Sequence, residues 1–189
     1  GGHLNLLKRL PTRTGWQTAI DNLKRAMSNA GVRVEQGVQV DSSFLSDSSL
    51  DSLVVATGSR WDATGFSPYR PDRDTIPGIE FEHVLDIGSA LSLVLDDPDG
   101  LGQAVVILDE SGSYLPVGLA ELLVDNGVDV EIVSPHALLG EEVVKSYEAG
   151  HAFPRLVAKG VRLSPQLMVE SISERSVEIG SVWGGETRS

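Results

Sequence analysis

Ala104-Val105-Val106-Ile107-Leu108-Asp109-Glu110-Ser111-Gly112-Ser113-Tyr114 is the stretch on which the reading of this chain turns. Its five consecutive apolar residues predict a strand covered on both faces, as in a parallel sheet lying between helices. A helix is expected to open near Leu115, with Pro116 tolerated in its first turn and Leu119, Leu122 and Leu123 turned inward. A buried strand that turns directly into a helix is where a dinucleotide fingerprint would lie. That fingerprint needs glycines, so that backbone N–H groups can approach a pyrophosphate without a clashing side chain. Here Asp109 and Glu110 open the turn and Gly112 is its one glycine. A diphosphate placed there would meet like charge, a repulsion of roughly 1–4 kcal/mol per close pair at surface-like dielectric.

The following strand, over 128–133, ends at Ser134, where an acid that binds ribose would be expected. Two readings follow. The acidic turn favours a Rossmann-like unit that has lost cofactor binding; the other reading is an altered nucleotide site.

Outward from this unit, one junction recurs: Ala30-Gly31-Val32, Asn126-Gly127-Val128 and Lys159-Gly160-Val161. Each closes a helix on Gly and begins a strand with Val, the grammar of α/β layers. A helix is expected from Trp16 to Ala30, with Trp16, Ile20, Leu23, Met27 and Ala30 on its inner stripe. Another is expected from Asp86 to Leu95, with Asp86 as its N-cap. A short helix is expected at 154–159, and 138–150 stays ambiguous. Leu53-Val54-Val55-Ala56 reads as a second buried strand. Segments 167–172 and 177–182 alternate and flank Ser173-Glu174-Arg175, which predicts an antiparallel hairpin. Residues 60–77, with Gly65, Pro68, Pro71 and Pro77, read as a long irregular loop.

The chain has 189 residues; 15 Lys and Arg against 27 Asp and Glu leave a net charge of −12. That balance argues against general affinity for nucleic acid or anionic membrane. No apolar run approaches the ~18–20 residues that span a bilayer. With no cysteine there is no thiolate to bind a metal or an iron–sulfur cluster in this chain, and the composition fits the cytoplasm. A first residue of Gly rather than Met suggests a fragment or processed product. Asp96-Asp97-Pro98-Asp99-Gly100 is read as a solvated linker, because Leu101 falls where a calcium loop needs a ligand.

His3, His83, His136 and His151 share no metal-ligand spacing and are read as surface or capping residues. Ala56-Thr57-Gly58 ends the Leu53 strand. Gly58 allows either close approach of a cofactor or only the turn itself. Trp16 is expected in the core, Trp61 over a site and Trp183 at a strand end. No Gly-x-Ser-x-Gly elbow and no phosphate-binding Gly-Lys loop is present, so hydrolase and NTPase chemistry find no motif.

The strings Gly1-Gly2-His3-Leu4-Asn5, Ala56-Thr57-Gly58-Ser59-Arg60-Trp61, Ile76-Pro77-Gly78 and Val84-Leu85-Asp86 carry a resemblance. In their order and spacing they resemble the C-terminal region of the trimethylamine dehydrogenase and 2,4-dienoyl-CoA reductase family. Segments 105–108, 119–121, 130–134 and 179–185 continue it, so it covers nearly the whole chain. The resemblance implies two Rossmann-like lobes of the disulfide-reductase type, each incomplete, with mostly parallel sheets and a C-terminal antiparallel strand pair. Residues 1–85 would form a partial FAD- or ADP-binding-like lobe and 86–189 a degenerate NAD(P)-binding-like lobe.

The resemblance also implies a parent oxidoreductase with FMN and a 4Fe-4S cluster, closer to the amine dehydrogenase branch. In that branch this region is structural, can hold an adenine nucleotide (ADP or FAD), and contains no catalytic residue and no metal ligand. Gly1, Gly2, Thr57, Gly58 and Trp61 are the residues it would place against that nucleotide. No cofactor is expected on the fragment alone. The implied partners are the remainder of the parent flavoprotein and an electron-transferring flavoprotein. Self-association through exposed sheet edges is expected as well. Two alternatives stand beside this reading: part of an NAD(P)H-dependent enoate or dienoyl-CoA reductase, and a non-catalytic docking module for an electron-transfer partner.

Overall fold

A computed structural model describes residues 2–46 and 49–189. In chain order the helices are α1 (Leu4–Leu7), α2 (Trp16–Asn29), α3 (Ser42–Ser46), α4 (Ile87–Asp96), α5 (Tyr114–Asp125), α6 (Glu141–Lys145) and α7 (Ala149–Ala158). The strands are β1 (Ala104–Leu108), β2 (Asp129–Ser134), β3 (Arg162–Pro165), β4 (Leu167–Ile172) and β5 (Val177–Ser181). The first three form a parallel sheet in the order β1-β2-β3, and the last two form an antiparallel pair. The expected α/β class holds, and both sheets are open.

The core follows the apolar pattern around β1. Ile107 and Ile132, side by side in the register of β1 and β2, pack against Val117, Leu123 and Leu156 of the covering helices. Asp86 caps α4 by accepting the N–H groups of Gly88 and Ser89, as its side chain and position dictate. Pro116 sits in the first turn of α5, where its missing N–H costs no helical bond. The hairpin over Ser173, Glu174 and Arg175 joins β4 to β5 as the alternation predicts. The helix expected at 154–159 begins earlier, at Ala149, and carries Pro154 in its interior.

Leu10 anchors the N-terminal segment. It is buried against α5 at Gly118, where an added Cβ would lie 2.7 Å from Leu10 Cδ1. Arg13 lies flat over the Tyr114 ring, 3.4 Å from its centroid, and pairs with Glu148. Tyr114 donates its hydroxyl to the Pro11 carbonyl at 3.1 Å.

Two expectations fail in the first third of the chain. Residues 53–56 form no strand, and Val54 is 87% exposed. A continuous apolar run needs a ladder neighbour to become a strand, and none pairs with it among the described residues. The inner stripe of α2 does not pack: Ile20 is buried, but Trp16, Leu23, Met27 and Ala30 are exposed. Trp16 is therefore not a core residue. The helix itself forms as its sequence dictates, but among the described residues it is covered only around Ile20. None of the described helices is long and apolar enough to cross a membrane.

Candidate functional site

The turn after β1 is closed by its own first residue. Asp109 is buried, and its N–H extends the ladder to the Val133 carbonyl at 2.8 Å. Its Oδ1 accepts the N–H of Ser111 at 2.9 Å and the N–H of Gly112 at 2.8 Å. The Ser111 hydroxyl lies 2.9 Å from the same oxygen. Those two N–H groups are the kind of donors that a phosphate takes at a helix N-terminus. The other oxygen, Oδ2, is buried without a hydrogen-bond partner among the described residues. Gly112 is required here: its φ is +62°, and an added Cβ would lie 3.0 Å from the Glu141 nitrogen.

A strap from the long loop crosses the carboxyl ends of β1 and β2. The Tyr69 hydroxyl is 3.2 Å from His136 Nδ1, and His136 Nε2 is 3.0 Å from the Glu110 carbonyl. A carbonyl can only accept, so Nε2 carries a proton; in the neutral ring Nδ1 then accepts from Tyr69. The two rings meet edge to face at 5.7 Å. Burial pushes the Glu110 carboxyl above its ordinary range; the Ser67 hydroxyl and His136 pull it partly back, and Asp109 adds to the rise.

Beyond Tyr69, Arg70 and Arg73 converge on Glu170 of β4. Arg73 also donates to the carbonyls of Glu170 at 3.0 Å and Val169 at 3.2 Å. The strap is thus fixed at one end by His136 and at the other by an arginine pair on Glu170. His136 was expected at the surface or at a cap. It is half-buried and bridges two segments. Neither it nor Arg70 and Arg73 has a spacing that would reveal this in sequence, because their partners lie far along the chain.

The residues expected at a nucleotide lie elsewhere. Gly1 is outside the described residues. Gly2 is an exposed turn residue, and Thr57 and Gly58 lie on the exposed segment that follows 53–56. A Cβ at Gly58 would meet nothing within 4 Å, so its backbone is open to approach. Trp61 is half-buried, 4.9 Å from the His3 ring, and its Nε1 is buried without a hydrogen-bond acceptor among the described residues. A side chain at Gly88 would lie 3.5 Å from that nitrogen, so the indole packs on the first turn of α4. The structure brings Trp61 to His3, the neighbour of Gly2 in sequence. Among the described residues it brings no element over Gly58. No group of three or more His, Asp or Glu is placed to hold a metal ion among the described residues.

Fold and turn together define an open α/β unit whose strand-to-helix bend is filled by an internal carboxylate. The same fold is found in part of three solved enzymes. The chain matches over its whole length a 6-hydroxypseudooxynicotine amine oxidase from Pseudomonas geniculata N1, at TM-score 0.84 and 22% identity. It matches histamine dehydrogenase from Rhizobium sp. 4-9 at 0.81 and 21%, and a 2-naphthoyl-CoA reductase at 0.73 and 20%, again over its whole length. It spans 27%, 28% and 26% of those chains respectively, about a quarter of each. No family model matches the chain. At these identities the resemblance read from the sequence extends to the fold.

Proposed function

We propose that this chain is the C-terminal region of a flavin-dependent oxidoreductase of the amine dehydrogenase type. Its own role is structural and adenine-nucleotide-binding, and none of its residues is catalytic. The observation that carries this reading is the Asp109 carboxylate on the N–H groups of Ser111 and Gly112. It takes the donors a pyridine nucleotide would need, so residues 109–114 do not fit that cofactor. The fold match to two amine-oxidising enzymes, ahead of the match to a reductase, supports the same branch.

On this reading FMN and the 4Fe-4S cluster belong to parts of the parent outside this chain, since no cysteine is present here to ligate iron. The parent is cytoplasmic, oxidises a small amine, and passes electrons to an electron-transferring flavoprotein. Gly2 and Gly58 fit an adenine nucleotide in one respect: their backbones are open, with no atom within 4 Å of an added Cβ. Trp61 adds an indole donor in need of an acceptor. These residues would bind and orient the nucleotide while Asp109 keeps a second one out of the other lobe.

Titration of ADP against the full chain and its parent tests this. ADP is expected to bind, and Gly58→Asn, which tolerates the left-handed backbone while adding bulk, is expected to weaken it at least tenfold. Unchanged affinity would remove Gly58 from the site. The reductase reading keeps one supporting observation, the full-length match to 2-naphthoyl-CoA reductase. It requires NADPH to bind beside Asp109, and NADPH-dependent shifts of the Gly112 amide resonance would favour it over the reading proposed here.

A further inference from the structure

The two ends of the strap are tied to the rest of the chain by different chemistry. At the near end Ser67 is buried; its hydroxyl accepts the Tyr69 N–H at 3.2 Å and bonds to the Glu110 carboxyl. His136 spans the Tyr69 hydroxyl and the Glu110 carbonyl, and its own N–H goes to the Ser134 hydroxyl at 3.3 Å. The Arg70 N–H closes the turn of the strap on the Ser67 carbonyl at 3.0 Å. At the far end Arg73 donates to the Glu170 and Val169 carbonyls, acceptors that do not titrate.

The charges around the near end come from four elements. Asp109, buried, and Glu110, half-buried, belong to the turn after β1, and His136 to the segment after β2. On the strap, Arg70 is held by Asp72 and Glu170, and Arg73 by Glu170. On α6, whose first residue packs on Gly112, Glu141 pairs with Lys145. Of these cations His136 is the one not already held by a carboxylate. When the imidazole is cationic both ring nitrogens donate, one to the Glu110 carbonyl and one to the Tyr69 oxygen, and its charge offsets the carboxylates. When it is neutral and Glu110 is ionised, two like charges stand together out of water with no cation between them. Both proton losses therefore act against the closed strap.

We propose that the strap is a pH-sensitive latch: its Ser67–Arg70 end is held to Glu110 and His136 in mild acid and released locally as pH rises, while its Arg73 end stays tied to β4. Release lets water reach the Glu110 carboxylate without unfolding the sheet beneath it. The closed strap binds more protons than the open one, so it is favoured at low pH and loses ground as Glu110 and His136 give theirs up. The burial that raises the Glu110 carboxyl acts in the same direction. The inference rests on contacts made within this chain and is independent of the functional reading above.

Amide hydrogen exchange of the full chain at about pH 5.5 and about pH 8, on either side of the range in which histidines change charge, is the test, with rates corrected for the pH dependence of the chemical step. Protection of the Arg70 amide is expected to fall about tenfold or more between the two. The Asp109 amide, bonded to the Val133 carbonyl, and the Ile172 amide, bonded to the Pro77 carbonyl, are expected to keep theirs. Glu110→Gln keeps the size of the side chain without its charge, and is expected to cut the change at Arg70 to about twofold. Equal protection of Arg70 at both pH values, a loss shared by Asp109 and Ile172, or the full change retained in Glu110→Gln overturns the latch. Should Glu110→Gln fail to fold, the wild-type comparison of Arg70 with Asp109 and Ile172 decides.

Discussion

The carboxylate of Asp109 holds the backbone N–H of Gly112 at 2.8 Å, so the first residue after β1 fills the cradle that the turn would otherwise offer to an anion. The same oxygen holds the Ser111 N–H, and the left-handed Gly112 lets the two donors converge. Sequence, turn and chemistry are linked through one atom. A carboxylate at the strand end closes the turn on its own N–H groups.

Removing that carboxylate should cost stability out of proportion to its size. In Asp109→Ala the N–H groups of Ser111 and Gly112 lose a charged acceptor in a buried setting, a loss of about 1.5–3 kcal/mol. Asp109→Asn keeps an acceptor but sets an amide N–H₂ where Oδ2 has no partner, and should fall between Ala and wild type. Urea unfolding should show a lower midpoint with unchanged slope for both. A midpoint for Asp109→Ala equal to wild type would show that the turn does not depend on its carboxylate.

The junction between the long loop and β4 depends on Gly78. Its φ is +88°, and an added Cβ would stand 2.1 Å from the Ile172 carbonyl oxygen, a backbone atom. The Ile172 N–H in turn donates to the Pro77 carbonyl at 2.8 Å, so the loop is bonded to β4 where the clash would fall. Gly78→Ala should therefore destabilise by at least about 3 kcal/mol, in the range reserved for specific steric failures. Gly127 also has positive φ, but open space surrounds its missing Cβ, and Gly127→Ala should cost only about 1–2 kcal/mol. Thermal melts of the two variants side by side check the contrast.

Elements that depend on local chemistry were legible in the sequence. β1, the Asp86 cap, Pro116 in the first turn of α5 and the β4–β5 hairpin each follow from residues within a few positions of one another. What failed was whatever needed a distant partner. The run at 53–56 has strand composition, yet composition supplies no neighbour. The α2 stripe has the right period, yet of it only Ile20 is buried, while Trp16 and Leu23 stay 44% and 64% exposed. At the candidate site the sequence marked Asp109 and Glu110 as anomalous, which the geometry explains. It gave no hint that Tyr69 would reach His136 or that Arg70 and Arg73 would share Glu170, because those pairs are separated by 67 to 100 residues.

Glu110 should make neutral pH less favourable than mild acid. Burial raises its folded-state carboxyl above the ordinary value of 4.5. The folded protein therefore binds more protons than the unfolded chain between 4.5 and the raised value. Its contribution is fully present below 4.5 and is lost as pH rises through the folded value. Glu110→Gln removes this titration, so the variant should gain stability relative to wild type at pH 7 and converge with it in acid. Urea midpoints at pH 7 and pH 4 measure the difference; a constant offset at both would mean that Glu110 titrates alike in both states.

Two other glutamates act with the opposite sign and should dominate acid unfolding. The Glu121 side chain is 4% exposed, and its carboxyl is held below 4.5 first by its paired hydrogen bonds to Arg155, against the opposing effect of burial, with Lys159 adding to them. For Glu131 burial acts upward and is the largest single influence, but Arg188, Ser164 and Arg162 together outweigh it, so its carboxyl also titrates below 4.5. In both cases the unfolded chain binds more protons in the window beneath 4.5. The stability is present above 4.5 and is lost as pH falls through the folded values. Glu121 joins α5 to α7, and Glu131 joins β2 to β3 and to Arg188 near the C-terminus, so acid should loosen the helix layer and the chain end together. Arg155→Met leaves Glu121 buried with Lys159 as its remaining cation, and should cost about 1.5–3 kcal/mol at pH 7. The cost should shrink as pH drops below 4.5 and Glu121 becomes neutral. A urea midpoint series on wild type and Arg155→Met from pH 7 down to pH 3 reads both effects; two parallel curves would show that Glu121 contributes nothing to the acid limb.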